Sequence, residues 1–298
     1  MPLLANKCIC CLSNNLSKSQ SVLSPFFSFK LFNYQPFKIR KNEFRDLFPG
    51  TSYYLSCSIE CLNCSMLFLD LRFFDSELKL YYKNYQSKSF FQQRIKFEKS
   101  FNLRLKKFNN SGIISSGETY YISNLEEYIK EIAGEPTIML DYGSGQGKGT
   151  LFKLNKRVKK FLYDPFQNKK SNFVLFNKEK KIKEKTQFDL IALRNVLEHV
   201  SFPREVLNII KKISCKKTFF FIEVPKEKIL NNYKRNFMQK KKKIWTEHIN
   251  IFTKESLLKL LKTNNFKLID FRELKINNGN KGKSDNDREA FILLFKNK

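Results

Sequence analysis

The stretch Thr137-Ile-Met-Leu-Asp-Tyr-Gly-Ser-Gly-Gln-Gly147 decides the fold of this chain. An apolar, partly β-branched run leads into an acidic residue and then into glycines at every second position. Glycine lets the backbone turn sharply from a strand into a helix and approach a ligand without a Cβ in the way. The stretch therefore predicts a strand, a tight turn and a ligand at that turn.

The spacing of these glycines excludes two common nucleotide-binding motifs. The dinucleotide fingerprint requires a third glycine where this chain has Lys148. The phosphate-binding loop requires glycine at the position of Tyr142 and Ser or Thr at the position of Gly149. The remaining pattern, Asp-x-Gly-x-Gly-x-Gly over residues 141–147, resembles the first motif of class I S-adenosylmethionine (SAM)-dependent methyltransferases. Taken alone, it is also compatible with an ordinary glycine-rich turn.

Length and composition set the broad class of the protein. A chain of 298 residues predicts one large or two modest domains. Hydrophobic residues make up 42% of it, and it has no run of about 18 apolar residues to span a membrane. Residues 1–12 have too little apolar length for a signal peptide. We therefore expect a cytoplasmic protein.

The formal net charge of +28 is the next unusual feature, with basic clusters at residues 178–185 and 234–243. Such clusters can bind phosphates, so nucleic acid, an acidic nucleotide-sugar or an anionic membrane surface are candidate partners. Lys, Asn, Phe and Ile are all abundant, however, as expected of an AT-rich genome, and codon bias then explains the lysines. Nucleic acid binding is therefore a possibility that the charge alone does not favour.

Cysteines form two C-x-x-C pairs, Cys8/Cys11 and Cys61/Cys64. Each pair supplies two thiolates from one tight turn, and two such turns can form the four-sulfur cage of a structural zinc site. A degenerate remnant of such a site is the alternative, and disulfides are disfavoured in a cytosolic setting. The segments around these pairs resemble the N-terminal zinc ribbon found before many bacterial methyltransferase domains. In that family a glycine follows each second cysteine, whereas this chain has Leu12 and Ser65.

The resemblance divides the chain into three parts. It implies a zinc-ribbon-like Cys-rich module at residues 1–70, a helical connector or cap at 71–133 and a SAM-dependent methyltransferase domain at 134–298. The aromatic segment 26–37 would belong to an enlarged ribbon hairpin. Residues 76–85 have helical spacing, with Ser76 as the candidate cap. Their Tyr81, Tyr82 and Tyr85 loosely match a family element that folds over the cofactor site, although a packed aromatic face is the alternative.

From residue 137 onward, strands and helices alternate, which predicts a parallel sheet with helices on both faces. The strand candidates are residues 137–141, 160–164, 173–176, 188–193, 218–224, 266–274 and 290–295. The last two have no helix between them, which suggests a terminal antiparallel hairpin. The expected fold class is thus α/β, a doubly wound seven-stranded Rossmann-like methyltransferase sheet with a small N-terminal Cys-rich zinc-ribbon-like module.

Ligands of such sheets bind outside the carboxyl ends of the strands. Asp164 ends the second strand, where its carboxylate can accept both ribose hydroxyls, as the equivalent acidic residue does in methyltransferases; a turn-forming Asp-Pro is the alternative. Asp141 would order the glycine turn or bind the amino group of SAM. The predicted cofactor contacts are Asp141, Gly143, Ser144, Gly145, Gly147, Asp164 and Asn195.

Residues 188–203 resemble the fourth strand and following helix of the same superfamily, whose members often read Val-Leu-Glu-His-Val there. The resemblance continues through residues 218–225 and 247–258. Both histidines of the chain, His199 and His248, lie in these motifs. Either one can serve as a general base, bind the acceptor, or make structural hydrogen bonds. Some relatives with Glu-x-x-Glu-His hold a divalent metal, but Asn195 replaces the first Glu, so the resemblance implies no catalytic metal here.

Proteins with this layout are often linked to sugars and surface polysaccharides, as O- or C-methyltransferases. The larger sugar C-methyltransferases carry a further C-terminal domain that is not seen in this sequence. O-methylation of a saccharide or nucleotide-sugar is therefore the preferred function. RNA methylation is one alternative, because some rRNA methyltransferases also begin with a zinc module. A non-catalytic SAM-fold scaffold is another, although it would have no need for the acidic and glycine residues of the predicted cofactor site.

Overall fold

The computed structural model describes residues 3–33, 54–85, 87–98, 116–145, 147–166, 174–175, 187–232, 244–276 and 288–298. In chain order, the strands are β1 (Leu3–Leu4), β2 (Leu16–Leu23), β3 (Tyr54–Cys61), β4 (Leu67–Leu69), β5 (Leu71–Arg72), β6 (Ile138–Tyr142), β7 (Lys159–Tyr163), β8 (Val174–Leu175), β9 (Leu190–Arg194), β10 (Phe219–Pro225), β11 (Ile244–Trp245), β12 (Asn250–Ile251), β13 (Phe266–Ile276) and β14 (Arg288–Asn297). The α-helices are α1 (Pro25–Phe32), α2 (Asp75–Tyr82), α3 (Lys88–Phe97), α4 (Ser116–Ala133), α5 (Pro203–Lys212) and α6 (Lys254–Thr263).

The larger sheet has seven strands in the order β13-β14-β10-β9-β6-β7-β8. Strand β14 runs antiparallel to β13 and β10. The pairs among β10, β9, β6, β7 and β8 are parallel. This arrangement confirms the predicted doubly wound seven-stranded sheet with its terminal antiparallel hairpin.

Apolar side chains alternate between the two faces of this sheet, as the pleat requires. Met139 on β6 belongs to the core that includes Leu125 of α4. Its neighbour Leu140 belongs to the core on the other face, with Leu207 of α5 and Leu260 of α6. Helices therefore cover both faces of β6, which leaves the carboxyl ends of the strands as the place for a ligand.

A second, five-stranded sheet has the order β11-β2-β3-β4-β12. Strands β2 and β3 form an antiparallel hairpin, but the chain between them begins with α1, a helix that the sequence analysis did not predict. Ser24 caps α1 by accepting a hydrogen bond from the Phe27 amide, and Pro25 occupies the first turn. Phe26 and Phe27 are buried. The early part of segment 26–37 is thus helical and fills the core of this unit.

Strands β11 and β12 lie far along the chain from the rest of this sheet. Strand β11 pairs with β2, and β12 pairs with β4. The N-terminal sheet is therefore completed by the segment between β10 and α6.

Several sequence predictions need correction or lie outside the described residues. Ser76 does not cap α2: it lies within the first turn, and the amide of Phe74 donates to the Glu77 carboxylate instead. The basic clusters at residues 178–185 and 234–243 lie outside the described residues. Among the described helices, none has the length and apolar character to cross a membrane.

Candidate active site

A cleft opens where the order of the large sheet reverses. From β6 the chain proceeds to β7 and β8 on one side, while β9 lies on the other side of β6. The loops that leave the carboxyl ends of β6, β7 and β9 form its walls together with α2. Among the predicted site residues, the cleft is lined by Gly143, Gly145, Asp164, Asn195 and His199.

The glycines of the turn after β6 have two different tasks. All three have a positive φ, 81° at Gly143, 55° at Gly145 and 69° at Gly147. A Cβ on Gly143 would lie 2.5 Å from Val196 Cγ2, and one on Gly147 would lie 2.7 Å from Leu162 Cδ1. A Cβ on Gly145 would meet no atom within 4 Å. Gly143 and Gly147 therefore permit close packing of the turn, whereas Gly145 faces open space on the cleft wall.

Hydrogen bonds hold this turn against β7. The amides of Gly143 and Ser144 both donate to the Tyr163 carbonyl, at 2.7 and 3.1 Å. The Gly147 amide donates to the Ser144 carbonyl at 2.8 Å. Ser144 and Gly147 thus shape the turn through their backbones.

Two carboxylates flank the turn. Asp141 is buried at the end of β6 and accepts a 2.7 Å hydrogen bond from the Thr150 hydroxyl. Burial raises the pKa of Asp141 to about 6. Asp164 accepts hydrogen bonds from the amides of Gly145 (2.7 Å) and Phe166 (2.9 Å). Because each carboxylate oxygen has two lone pairs, Asp164 retains acceptor capacity for ribose hydroxyls at the cleft wall.

An ionic network beneath the cleft was missed by the sequence analysis. Arg194, at the end of β9, lies 2.6 Å from Glu223 Oε2 through its Nε and donates to the Gly149 carbonyl. Glu223 Oε1 accepts a 2.6 Å bond from the Tyr121 hydroxyl of α4. The network joins α4, β9 and β10 to the glycine turn. Glu223, inside the apolar run of β10, could have indicated this network from the sequence, because charged residues are almost never fully buried unless they are paired.

Asn195 follows Arg194 in a left-handed conformation, with φ of 51°. Its amide donates to the Glu223 carbonyl at 2.9 Å. The turn that Asn195 starts brings Glu198 and His199 to the cleft side of the sheet.

The two histidines meet beside the cleft, which His199 lines. Their rings are 4.7 Å apart and nearly perpendicular. His199 Nδ1 is 3.0 Å from the Glu247 carbonyl, and His248 Nδ1 is 2.6 Å from Glu227 Oε1. A carbonyl or an ionised carboxylate can only accept, so each Nδ1 carries the hydrogen. In the neutral form of each ring, the lone pair therefore lies on Nε2.

Titration of this cluster is strongly perturbed. Burial, aided by the neighbouring His248, lowers the pKa of His199 to about 3. The pKa of His248 is raised, because its hydrogen bond to Glu227 and nearby carboxylates outweigh the opposing effect of burial. Burial raises the pKa of Glu198 to about 8. His199 is therefore neutral at pH 7 and a weak base on its own.

Distant side chains fix the position of Glu247, whose carbonyl orients His199. Arg94 of α3 donates to both carboxylate oxygens of Glu247, at 3.0 and 3.1 Å, and to Glu98 at 2.8 Å. The hydroxyl of Tyr81, on α2, donates to Glu247 at 3.0 Å. The N-terminal helices thereby hold the histidine segment in place, a long-range arrangement that no local motif signals.

The tyrosines of α2 and its C-terminal turn divide between core and cleft. Tyr81 is fully buried among Phe26, Phe27 and other rings. Tyr82 stacks on Phe166 with centroids 5.2 Å apart and meets the His199 ring edge-on at 6.0 Å. Tyr82 and Tyr85 line the cleft. Both sequence interpretations of this element therefore have a structural counterpart.

The four cysteines of the C-x-x-C pairs converge in space. Their sulfurs all lie within 4.8 Å of one another, with Cys8–Cys64 and Cys11–Cys61 separations of 3.5 Å. Zn–S bonds of about 2.3 Å would place tetrahedral sulfurs about 3.8 Å apart, so the set fits a zinc ion. Leu12 and Ser65, where the family has glycine, adopt positive φ of 62° and 56°. Both cysteine turns thus have tight left-handed geometry without glycine.

Comparison with known sequences assigns the chain to a family. Residues 115–270, just over half of the chain, match the family described as a methyltransferase domain. The chain belongs to this family, and its large sheet has the class I SAM-dependent methyltransferase fold expected from the sequence. No curated protein matches the chain.

The solved structures to which this chain is similar include the following three. The 1,6-didemethyltoxoflavin-N1-methyltransferase of Burkholderia thailandensis, bound to S-adenosylhomocysteine, is 15% identical, with a TM-score of 0.40 over 59% of this chain and 77% of that chain. The PH0226 protein of Pyrococcus horikoshii is 14% identical, with a TM-score of 0.45 over 63% and 94%. Magnesium protoporphyrin IX methyltransferase of Synechocystis is 11% identical, with a TM-score of 0.42 over 67% and 95%.

Proposed function

We propose that this protein transfers the methyl group of SAM to an oxygen of a saccharide or nucleotide-sugar, as a cytoplasmic step in surface polysaccharide biosynthesis. One observation supports this proposal most strongly: the glycine turn, Asp164 and His199 line one cleft. A methyl donor and its acceptor must be held in line, and this cleft offers groups suited to each of them.

The cofactor end has the groups that SAM requires. The carboxylate of Asp164 would accept the ribose hydroxyls, and the open space beside Gly145 would admit the ligand to the backbone. Asp141, fixed by Thr150, would support the turn beneath the methionine part of SAM. Asn195 lines the cleft between this end and the histidines. When bound, SAM supplies an electrophilic methyl group.

The acceptor end has the groups that a hydroxyl requires. His199 lines the cleft with its lone pair on Nε2, and His248 is in ring contact with it. Methyl transfer to a hydroxyl needs removal of its proton, so these two histidines would bind the acceptor oxygen and direct its proton away. The zinc ion would be held by Cys8, Cys11, Cys61 and Cys64 in a purely structural role.

The character of the cleft wall favours a saccharide over RNA. Of the described lining residues, none is Lys or Arg, whereas Asp75, Asp164 and Glu205 are acidic. Carboxylates accept hydrogen bonds from hydroxyl groups but repel phosphates, so the wall suits a saccharide group and would leave the diphosphate of a nucleotide-sugar outside the cleft. The net charge of +28 is compatible with a nucleic acid substrate, so RNA remains the second candidate.

Transfer of radiolabelled methyl from SAM into a fractionated cell extract tests this proposal. We expect label in a saccharide or nucleotide-sugar fraction, and its loss with an Asp164→Ala variant that retains the wild-type melting temperature. Label in an RNase-sensitive polymer would overturn the saccharide assignment. Absence of transfer to any fraction, together with failure to bind SAM, would favour the non-catalytic scaffold.

A further inference from the structure

We infer that Glu198, His199 and His248 form a binding site for a divalent transition-metal ion, separate from the four-cysteine cluster. One ligand atom from each of these residues lies within 4.8 Å of the other two. His199 Nε2 is 3.8 Å from Glu198 Oε1. Ligands about 2.1 Å from one ion in tetrahedral geometry lie about 3.4 Å apart. The 3.8 Å pair is close to this spacing, and any pair near the 4.8 Å limit would close by up to about 1.4 Å on binding an ion.

Glu198 provides the strongest argument for an ion. Its side chain is 1% exposed, and within the described part of the chain neither carboxylate oxygen has a hydrogen-bond partner. A buried carboxylate without partners is costly unless it is paired or coordinates a metal. Its backbone is rigidly held, since its carbonyl accepts hydrogen bonds from the amides of Ile249 (2.9 Å) and Asn250 (3.1 Å). The structure thus holds an unsatisfied carboxylate firmly in place beside two imidazoles.

Both histidines have the second contact that metal-binding histidines require. A metal ligand usually donates its other ring N–H to a carbonyl or carboxylate, which fixes the tautomer and the ring orientation. His199 makes this contact with the Glu247 carbonyl and His248 with Glu227. Each Nε2 is thereby oriented as the coordinating atom, so the site has the outer contacts of a metal centre as well as its ligands.

The ligand set indicates the class of metal. Two imidazoles and one carboxylate suit Mn²⁺, Fe²⁺ or Zn²⁺ better than Mg²⁺ or Ca²⁺, which prefer oxygen ligands. The motif of metal-binding relatives has a glutamate at the position of Asn195, but the three groups here converge without it. Three protein ligands leave coordination positions open, as in catalytic rather than structural sites.

The open positions give the site a role that rests on the proposed function. His199 lines the cleft, so an acceptor hydroxyl entering from that side could coordinate the ion. A bound divalent ion lowers the pKa of a coordinated hydroxyl and so eases loss of its proton. The two histidines would then act on the acceptor through the ion that they hold. Acceptors that present a hydroxyl are favoured.

Titration with Mn²⁺ tests the metal site directly. Mn²⁺ prefers oxygen and imidazole ligands to thiolates, so it leaves the cysteine cluster undisturbed. Loss of the electron paramagnetic resonance signal of free Mn²⁺ on addition of the purified, zinc-containing protein reports binding. We expect one Mn²⁺ per chain in the wild type, and at least tenfold weaker binding in Glu198→Gln and His248→Gln. The matched control is Glu273→Gln, on exposed strand β13, which should bind as the wild type does.

Two results would overturn the inference: a wild-type protein that binds no Mn²⁺, or a folded Glu198→Gln variant that binds it as tightly as the wild type. Circular dichroism melting confirms folding, and His248→Gln serves if Glu198→Gln is unstable. SAM binding, measured on the same samples, separates this inference from the proposed function. SAM bound without Mn²⁺ refutes only the metal site, whereas Mn²⁺ bound without SAM refutes only the methyl transfer.

Discussion

The cofactor-binding and acceptor-binding halves of the proposed site differ in whether their buried polar groups have hydrogen-bond partners. The cofactor half, formed by the loops after β6 and β7, is internally satisfied: Thr150 donates to Asp141, and the Gly145 amide donates to Asp164. The acceptor half, formed by Glu198, His199 and His248, contains a buried carboxylate with no partner among the described residues. We infer from this difference that the cofactor half is organised before any ligand binds, whereas the acceptor half needs a bound ligand to satisfy its carboxylate.

The acceptor half is joined to the N-terminal module by backbone pairing and side-chain hydrogen bonds. Strand β12, directly after His248, pairs with β4 of the module. Thr253 donates to the Cys64 carbonyl, and Thr263 donates to the Cys10 carbonyl. The cysteine turns therefore pack on α6 next to the histidine segment. Substitutions that destabilise the module should therefore perturb the acceptor half before the cofactor half.

Breaking the cysteine cluster should have the largest effect. In Cys64→Ser, the zinc site loses a buried ligand, and structural zinc contributes about 10 kcal/mol or more to folding in small zinc domains. We expect zinc content to fall from one ion per chain to near zero, with a marked drop in melting temperature. Cys215→Ser is the control, because Cys215 lies apart from the cluster. A zinc-free wild type as stable as both variants would contradict this expectation.

Substitutions in the cofactor half should lower the free energy of unfolding less than loss of the cysteine cluster does. The loss should also differ between its glycines. Gly143→Ala combines a positive φ with a contact at 2.5 Å, so we expect a loss of about 3 kcal/mol in the free energy of unfolding. Gly145→Ala should lose only about 1 kcal/mol, for its φ, but should weaken SAM binding. Gly134→Ala is the matched control, with positive φ and open space far from the cleft.

Denaturant unfolding and SAM titration of the three variants measure this difference. Equal stability losses for Gly143→Ala and Gly145→Ala would show that the turn is not packed as described. Unchanged SAM affinity in Gly145→Ala would show that Gly145 does not contribute to SAM binding.

Most of the cofactor half could be predicted from the sequence because its parts are contiguous with strand ends. A strand followed by alternating glycines, and an acidic residue ending the next strand, specify their own geometry. The acceptor half could be predicted only in part. Its histidines lie in recognisable motifs, but Arg94 and Glu227 come from segments that only the fold brings near them.

The ionisation of Asp141 should make the stability of the cofactor half depend on pH. Burial raises the pKa of Asp141 from 3.8 to about 6, so the folded state takes up a proton more readily than the unfolded state. Ionisation therefore lowers stability as pH rises from 3.8 to about 6, by up to about 3 kcal/mol. Asp141→Asn should match the wild type at pH 3.5 and be more stable above pH 6, as measured by urea unfolding. A constant difference at all pH values would refute this origin.

Loosening the acceptor half from a distance should have the smallest effect. Arg94→Lys replaces a two-pronged contact with Glu247 by a single one. We expect turnover to fall about tenfold, or about 1.4 kcal/mol in activation free energy, with SAM affinity unchanged. Lys96→Arg, on the exposed side of α3, is the control. An equal loss of SAM affinity would mean that Arg94 supports the whole fold rather than the histidine segment.

The cysteine turns show where sequence patterns mislead. Leu12 and Ser65 stand where the family has glycine, yet both residues adopt the left-handed conformation that glycine favours. Hydrogen bonds from Leu12 to the Cys8 carbonyl and from Ser65 to the Cys61 carbonyl close the turns. The cost of a positive φ, about 1–2 kcal/mol per residue, is offset by the surrounding contacts, which a local motif does not reveal.

Calorimetric titration of SAM into the purified protein tests most directly whether the cleft binds a methyl donor beside Asp164. We predict one SAM per chain, with binding at least tenfold weaker in Asp164→Asn, whose amide is a poorer acceptor for the ribose hydroxyls. No binding to the wild type, or equal affinity in the variant, would contradict it.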